Sequence, residues 1–185
     1  MRTYITLVLV IIIGILSLWF QEDGKQQLKD IIQPGERFPD YFMENFSVTN
    51  MDDTGQVSYQ LNATKMLHFA EDDSAELEQP LIKFKQNDES FTLQATRAIY
   101  HKNKNLVHLY DKVIIHRQSA QQKDELFIYT DYLKIDTMSK VAENEHPSRV
   151  KTAQAELNTM GILIDSVQGK LVLKSQVKGV YKNAP

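Results

Sequence analysis

The chain has 185 residues, a formal net charge of −3 and no cysteine. That length leaves room for one ordinary domain and an appendage. The charge gives no basic footprint for nucleic acid, and the missing cysteines exclude both disulfide staples and a lipid-modified N-terminal cysteine.

The first element is an apolar run. Tyr4 to Phe20 carries no charge; as a helix it would reach roughly 26 Å at about 1.5 Å per residue, just short of a hydrocarbon core of about 30 Å. Arg2 and Gln21 would then sit at the two interfaces, with Trp19 as an interfacial anchor. The run ends in Leu-Trp-Phe-Gln-Glu-Asp, without a small-x-small cleavage pattern, so the expectation is a retained anchor. Arg2 precedes it while Glu22 and Asp23 follow, which orients the remainder away from the cytoplasm. Gly14 is the place on this helix where a neighbouring helix could approach closely.

A connector follows. Lys25 to Ile32 has two amphipathic turns' worth of Leu28, Ile31 and Ile32, stopped by Gln33-Pro34-Gly35 and barred from restarting by Pro39. It either lies on the membrane or a partner, or serves as a free linker. The expected organisation is an anchor over 1–22, a linker over 23–40 and an exported β domain over 41–182.

From Tyr41 on, apolar residues alternate with polar ones, the period of a half-covered strand. Phe46 to Asn50 reads as a strand, Asp52-Asp53-Thr54-Gly55 as a turn, and Val57 to Phe69 as the next strand. A repeat then emerges. A shift of 32 positions (93 − 61 = 32) lays Leu61-Asn62-Ala63-Thr64-Lys65 on Leu93-Gln94-Ala95-Thr96-Arg97 and carries Leu77 to Leu109, Leu81 to Val113 and Ile82 to Ile114. Each copy reads strand, turn, strand, so neither buries its apolar face alone. Val107, Leu109, Val113 and Ile115 share one parity, and His108, Lys112 and His116 take the other, solvated one. Polar loops are expected over 118–124 and 138–149, with a looser echo of the repeat over 150–158.

The last strand, Lys170 to Tyr181, puts Leu171, Leu173, Val177 and Tyr181 on one face and Lys170, Lys174 and Lys178 on the other. Such lysines suit two roles: blunting an edge against aggregation, or keeping it open for a partner that adds a strand.

No catalytic constellation is present. The five histidines (His68, His101, His108, His116 and His146) have no metal-ligand spacing, and there is no phosphate loop, nucleophile elbow or H-E-x-x-H. The sequence therefore predicts neither an enzyme nor a cofactor or metal site. Many short strands with one apolar face and no covering helix leave two outcomes: a dry two-sheet sandwich that binds only protein, or splayed sheets lining an apolar groove.

The chain resembles the LptC family of lipopolysaccharide export proteins. The resemblance rests on the N-terminal apolar run, Gly55-Gln56-Val57-Ser58-Tyr59-Gln60-Leu61, Gln79-Pro80-Leu81, Leu93-Gln94-Ala95-Thr96-Arg97-Ala98 and Leu106-Val107-His108-Leu109-Tyr110. It departs from the family at Tyr110-Asp111-Lys112, where a glycine is usual, while Gln168-Gly169-Lys170 keeps one. The resemblance implies an all-β fold: an open antiparallel β-jellyroll, or two-sheet sandwich, behind a single N-terminal transmembrane helix in the inner membrane. It implies acyl chains of lipopolysaccharide held inside the jellyroll, received from the LptB, LptF and LptG transporter and passed to LptA. The transporter, not this chain, would hydrolyse ATP.

On that reading the lipid-lining residues are Phe46, Leu61, Ala63, Leu77, Leu93, Ala95, Leu109, Val113, Ile115, Leu171 and Leu173. The terminal strand, with Lys170, Lys174, Val177, Lys178 and Tyr181, is the edge that meets LptA, and the helix around Gly14 docks on the transporter.

Overall fold

A computed structural model describes residues 37–86, 89–119 and 125–181. The expected anchor over 1–22, its Gly14 and the amphipathic turns over 25–32 lie outside the described residues. Among the described residues no helix is long and apolar enough to cross a membrane.

Eleven strands form one antiparallel sheet. They are β1 (Tyr41–Met51), β2 (Val57–Phe69), β3 (Ser74–Glu78), β4 (Leu81–Gln86), β5 (Glu89–Gln94) and β6 (Arg97–His101), then β7 (Leu106–Ser119), β8 (Glu125–Asp136), β9 (Val141–Thr152), β10 (Ala155–Asp165) and β11 (Lys170–Tyr181). A single 3-10 turn over Lys102–Lys104 closes the β6–β7 hairpin. β1 pairs only with β2 and β11 only with β10, so the described sheet has two free edges.

The sheet is doubled over along a line that crosses its strands. The line is marked by backbone in the left-handed region: Asn45 in β1, Gln79 between β3 and β4, Asp111 and Lys112 in β7, Gly161 in β10 and Gln176 in β11. Asparagine and aspartate tolerate this region because their short polar side chains bond locally, and glycine has no Cβ to clash. The same line separates β5 from β6, where the Gln79 N–H donates to Thr96 O at 2.8 Å and the Thr96 N–H to Asp111 O at 2.9 Å. Registers shift between Tyr110 and Val113, Thr130 and Lys134, Met160 and Ile162, and Asn158 and Met160. In β7 to β11 these irregularities fall at one level, and bulges of this kind bend a strand.

Two layers result, sharing one core. Beyond the line on one side, an inner row runs Met43, Met66, Leu77, Ala98, Leu109 and Leu133 across neighbouring strands, and Ile162 and Leu173 continue it. On the other side the row is Val48, Leu61, Ile82, Leu93, Ile115, Ile128, Val150, Leu157 and Gly179. Buried members of both rows belong to a single apolar cluster. Leu109, Val113, Leu133 and Ile162 are sealed, at 0 to 1 % exposure.

A buried polar group fastens the bend. Asn144 Nδ2 donates to Thr130 Oγ1 at 2.9 Å and to Tyr132 O at 2.7 Å, and Asn144 Oδ1 accepts from the Ile162 N–H at 3.1 Å. Three strands are thereby tied at one point.

Three expectations fail here. The polar loop over 138–149 is the body of β9; Pro147 sits at the bend, where strand pairing is already interrupted and its missing N–H is tolerated. The echo over 150–158 is a hairpin: β9 ends at Thr152 and β10 starts at Ala155. The repeat also slips by one position. Asp111 and Lys112 put two residues where β8 has only Asp131, so Ile115, not Ile114, faces Leu93 alongside Ile82.

Candidate functional site: the space between the two layers

The residues expected to line lipid divide by depth. Ala63, Leu77, Leu93, Ala95, Leu109 and Val113 are buried, all below 10 % exposure, and lie against the bend. Phe46, Leu61, Ile115, Leu171 and Leu173 are half-buried and pack on that core. The structure brings both sets to one interior. The inward parity already held Val107, while other half-buried members of the same interior were not among the expected lining: Ile82, Leu126, Ile135, Leu157 and Ile164. The signal for Ile135 and Leu126 was a phase change in β8, where inward positions run Leu126, Ile128 and Thr130, then jump to Leu133 and Ile135.

At the mouth of the second layer the next row out is Tyr59, Phe84, Phe91, Arg117 and Leu126. Phe84 and Phe91 stack with centroids 4.9 Å apart. From the end of β4, Gln86 Nε2 donates to Ser166 O at 2.9 Å, joining one layer's rim to the other's. A side-chain hydrogen bond thus bridges the two rims here.

At the β11 edge, Leu157 lies over Gly179: a Cβ built there would overlap Leu157 Cδ2. Val177, Val180 and Tyr181 are exposed at 50, 68 and 69 %, and Lys170 and Lys178 are exposed too. Lys174 differs from its neighbours. It is tied to Glu143 at 3.1 Å and also to Glu145, and Lys134 holds Glu143 at 2.8 Å. These bonds raise the Lys174 and Lys134 ammonium groups above the ordinary lysine range and hold the Glu143 carboxyl below the carboxylate one. Lys174 therefore fastens this sheet to itself.

The outer faces carry aromatic rows. His108 Nδ1 lies 2.8 Å from the Tyr132 hydroxyl, and Tyr132 packs against Tyr110 and His146. His116 stacks on Phe127 at 4.2 Å. The solvated reading of His108 and His116 is thus corrected: both are half-buried, because aromatic neighbours on β8 cover them. Burial lowers His108 below the ordinary histidine value, with His101 adding repulsion. An open cleft of about 520 Å³ runs outside the bend between Lys112, Ile114, Tyr129, Asp131, Pro147 and Arg149. Among the described residues no cluster of acidic and imidazole groups is arranged to hold a metal ion.

The molecule so defined is a doubled antiparallel sheet with a continuous apolar interior and two free edges. Its sequence matches the profile of the LptC-related family of lipopolysaccharide-assembly proteins over residues 6–182. The chain belongs to that family, and its role lies in lipopolysaccharide transport. No curated protein sequence matches it. Among solved structures it is similar to LptH, the LptA-homologous periplasmic component of the lipopolysaccharide transport device of Pseudomonas aeruginosa, with a TM-score of 0.48 and 9 % identity over 77 % of this chain and 94 % of that one.

Proposed function

We propose that this protein carries the acyl chains of lipopolysaccharide between its two layers. It receives the lipid from the LptB, LptF and LptG transporter at the inner membrane and passes it to LptA in the periplasm. Residues 1–22 would anchor it, with the β domain in the periplasm and Gly14 against the transporter's helices. It works as a carrier, not an enzyme. One observation carries this reading: on one layer an inner row runs from one free edge to the other, apolar from Val48 to Leu157 and ending at Gly179. The path is nine strands wide on one layer (β1, β2, β4, β5, β7, β8, β9, β10 and β11). Eight spacings of about 4.8 Å give roughly 38 Å.

Each buried methylene is worth about 0.8 kcal/mol, so acyl chains need a continuous apolar lining to leave a bilayer. The half-buried set Phe46, Leu61, Ile115, Leu171 and Leu173 makes first contact, and Ala63, Leu77, Leu93, Ala95, Leu109 and Val113 form the floor against which the layers part. At the far end β11 would take a strand of LptA, with Val177, Lys178, Tyr181 and Lys170 flanking the contact and Lys174 bracing it from behind.

The test is photo-crosslinking in cells from Ile115 and Leu171, with Lys112 outside the bend as control. Lipopolysaccharide adducts at the two interior positions and none at Lys112 are expected. No interior adducts from a folded, inserted protein would leave the dry adaptor that binds protein alone.

A further inference from the structure

A charge stands inside the apolar mouth. Arg117 is two residues beyond Ile115 on β7, on the same inward face, and its register neighbours are Phe91 on β5 and Leu126 on β8. Its Nε is buried and has no hydrogen-bond partner. Among the described residues its counter-charge is Glu89, whose Oε1 lies 3.8 Å from an Arg117 terminal nitrogen, beyond hydrogen-bond reach. Both side chains are only about a third exposed, 35 and 33 %. A guanidinium stays charged at any physiological pH and offers five donors in a fixed fork that matches phosphate. Here that fork lies in a row otherwise made of Tyr59, Phe84, Phe91 and Leu126, and its buried Nε is left without an acceptor.

We infer that Arg117 is an anion subsite for a phosphorylated amphiphile, binding the headgroup phosphate while the acyl chains lie deeper, along Ile115, Leu93 and Ile82. This deepens the carrier reading and rests on it. The geometry fits an amphiphile because Arg117 and, one inward step further out, Glu89 lie beyond the aliphatic row of Ile82, Leu93 and Ile115. Glu89 then acts as a resident competitor: it partly neutralises Arg117 while the site is empty and must yield to the phosphate. A loose pair at that distance is weak enough to be displaced.

The experiment measures binding of a phosphorylated lipid A and of its dephosphorylated form to the purified full-length chain in detergent, by displacement of a fluorescent fatty acid. The wild-type protein should prefer the phosphorylated lipid by at least about tenfold, the effect of one charge-assisted hydrogen bond. Arg117→Gln should bind both lipids equally, at the level of the dephosphorylated one, and Arg117→Lys should keep part of the preference. Glu89→Gln should widen it.

A preference unchanged in Arg117→Gln would overturn the subsite while leaving the carrier intact. Binding of neither lipid to the wild-type chain would overturn the carrier reading itself. Millimolar inorganic phosphate should not displace the phosphorylated lipid; if it does, the site belongs to a free anion and the lipid assignment fails.

Discussion

Leu109 decides whether the interior is dry at the bend. It is 1 % exposed, between Ala98 and Leu133 in the register of its layer, with Val113 and Ile162 equally sealed in the same cluster. Leu109→Ala removes three carbons, a transfer cost of about 2.4 kcal/mol at 0.8 kcal/mol each. It also leaves a cavity, because paired strands on both sides cannot collapse into it. The sum falls at about 3 to 5 kcal/mol, the upper part of the usual Leu→Ala range. With a urea slope of about 1 to 3 kcal/mol per molar, the unfolding midpoint should fall by more than about 1 M with an unchanged slope. Ile115→Ala, at a half-buried position, should cost about half as much. A loss below about 1 kcal/mol at Leu109 would refute the reasoning: the layers would already be parted there in solution, and the groove would reach the bend. A charged residue at Leu109 is expected to unfold the domain, so lipid loading has to be probed at Ile115 and Leu171.

Three more perturbations follow from the bend and from β1. Asn144→Leu strips donors from Tyr132 O and Thr130 Oγ1 and orphans the Ile162 N–H; thermal unfolding should show a loss of about 2 to 4 kcal/mol. Deleting Lys112 should put residues 113–119 out of phase, turning Ile114 and His116 inward and Val113 and Ile115 outward; loss of a cooperative transition is expected, and retained cooperativity would mean the bend is not set by that insertion. His68 bonds Asp40 at 2.7 Å and Asp73 at 3.3 Å, stacks on Tyr41, and is raised above its ordinary 6.5, chiefly by the Asp40 bond. A raised folded value means this contribution is complete below about pH 6.5 and fades as pH rises through the raised value. Protection of the β1 amides, corrected for the intrinsic rise of exchange with pH, should therefore fall over that range, and His68→Gln should abolish that fall.

How much of this was legible in the sequence depends on what each residue reports. Alternation in β2, β7 and β11 gave the strands and their inward faces, because burial on one side of a sheet imposes a period of two directly. The two-layer arrangement was expected from apolar faces with no helix to cover them. The bend was not legible. It is written in Asn45, Gln79, Asp111, Lys112 and Gln176, polar residues in left-handed conformations that read on paper as ordinary solvated positions. β9 was missed for the same reason. Its buried members include Asn144 and Ser148, whose polarity signals a loop until the partners that satisfy them are known. The division of the lining into sealed and half-open residues was equally hidden, since Leu109 and Ile115 carry the same sequence signal and differ in burial.

The transverse direction of the apolar rows links this architecture to its proposed role. Along a strand, inward residues alternate with outward ones; across strands, inward residues stand side by side at every step of about 4.8 Å. A sliding acyl chain that follows the rows meets Leu61, Ile82, Leu93, Ile115, Ile128, Val150 and Leu157 in turn. Aliphatic contacts have no preferred direction, so no single step is a deep well. The row ends at Gly179, where Leu157 fills the place of the missing side chain. A strand added to β11 in register would place its own inward residues one step further along the same row. Docking on that edge and lengthening the groove are then one event, because the backbone bonds that join the sheets also fix which side chains face in. An edge blunted only against aggregation would need no such alignment. Val177 and Tyr181 flank the row's end at Gly179 on the same face of β11, where an added strand would meet them.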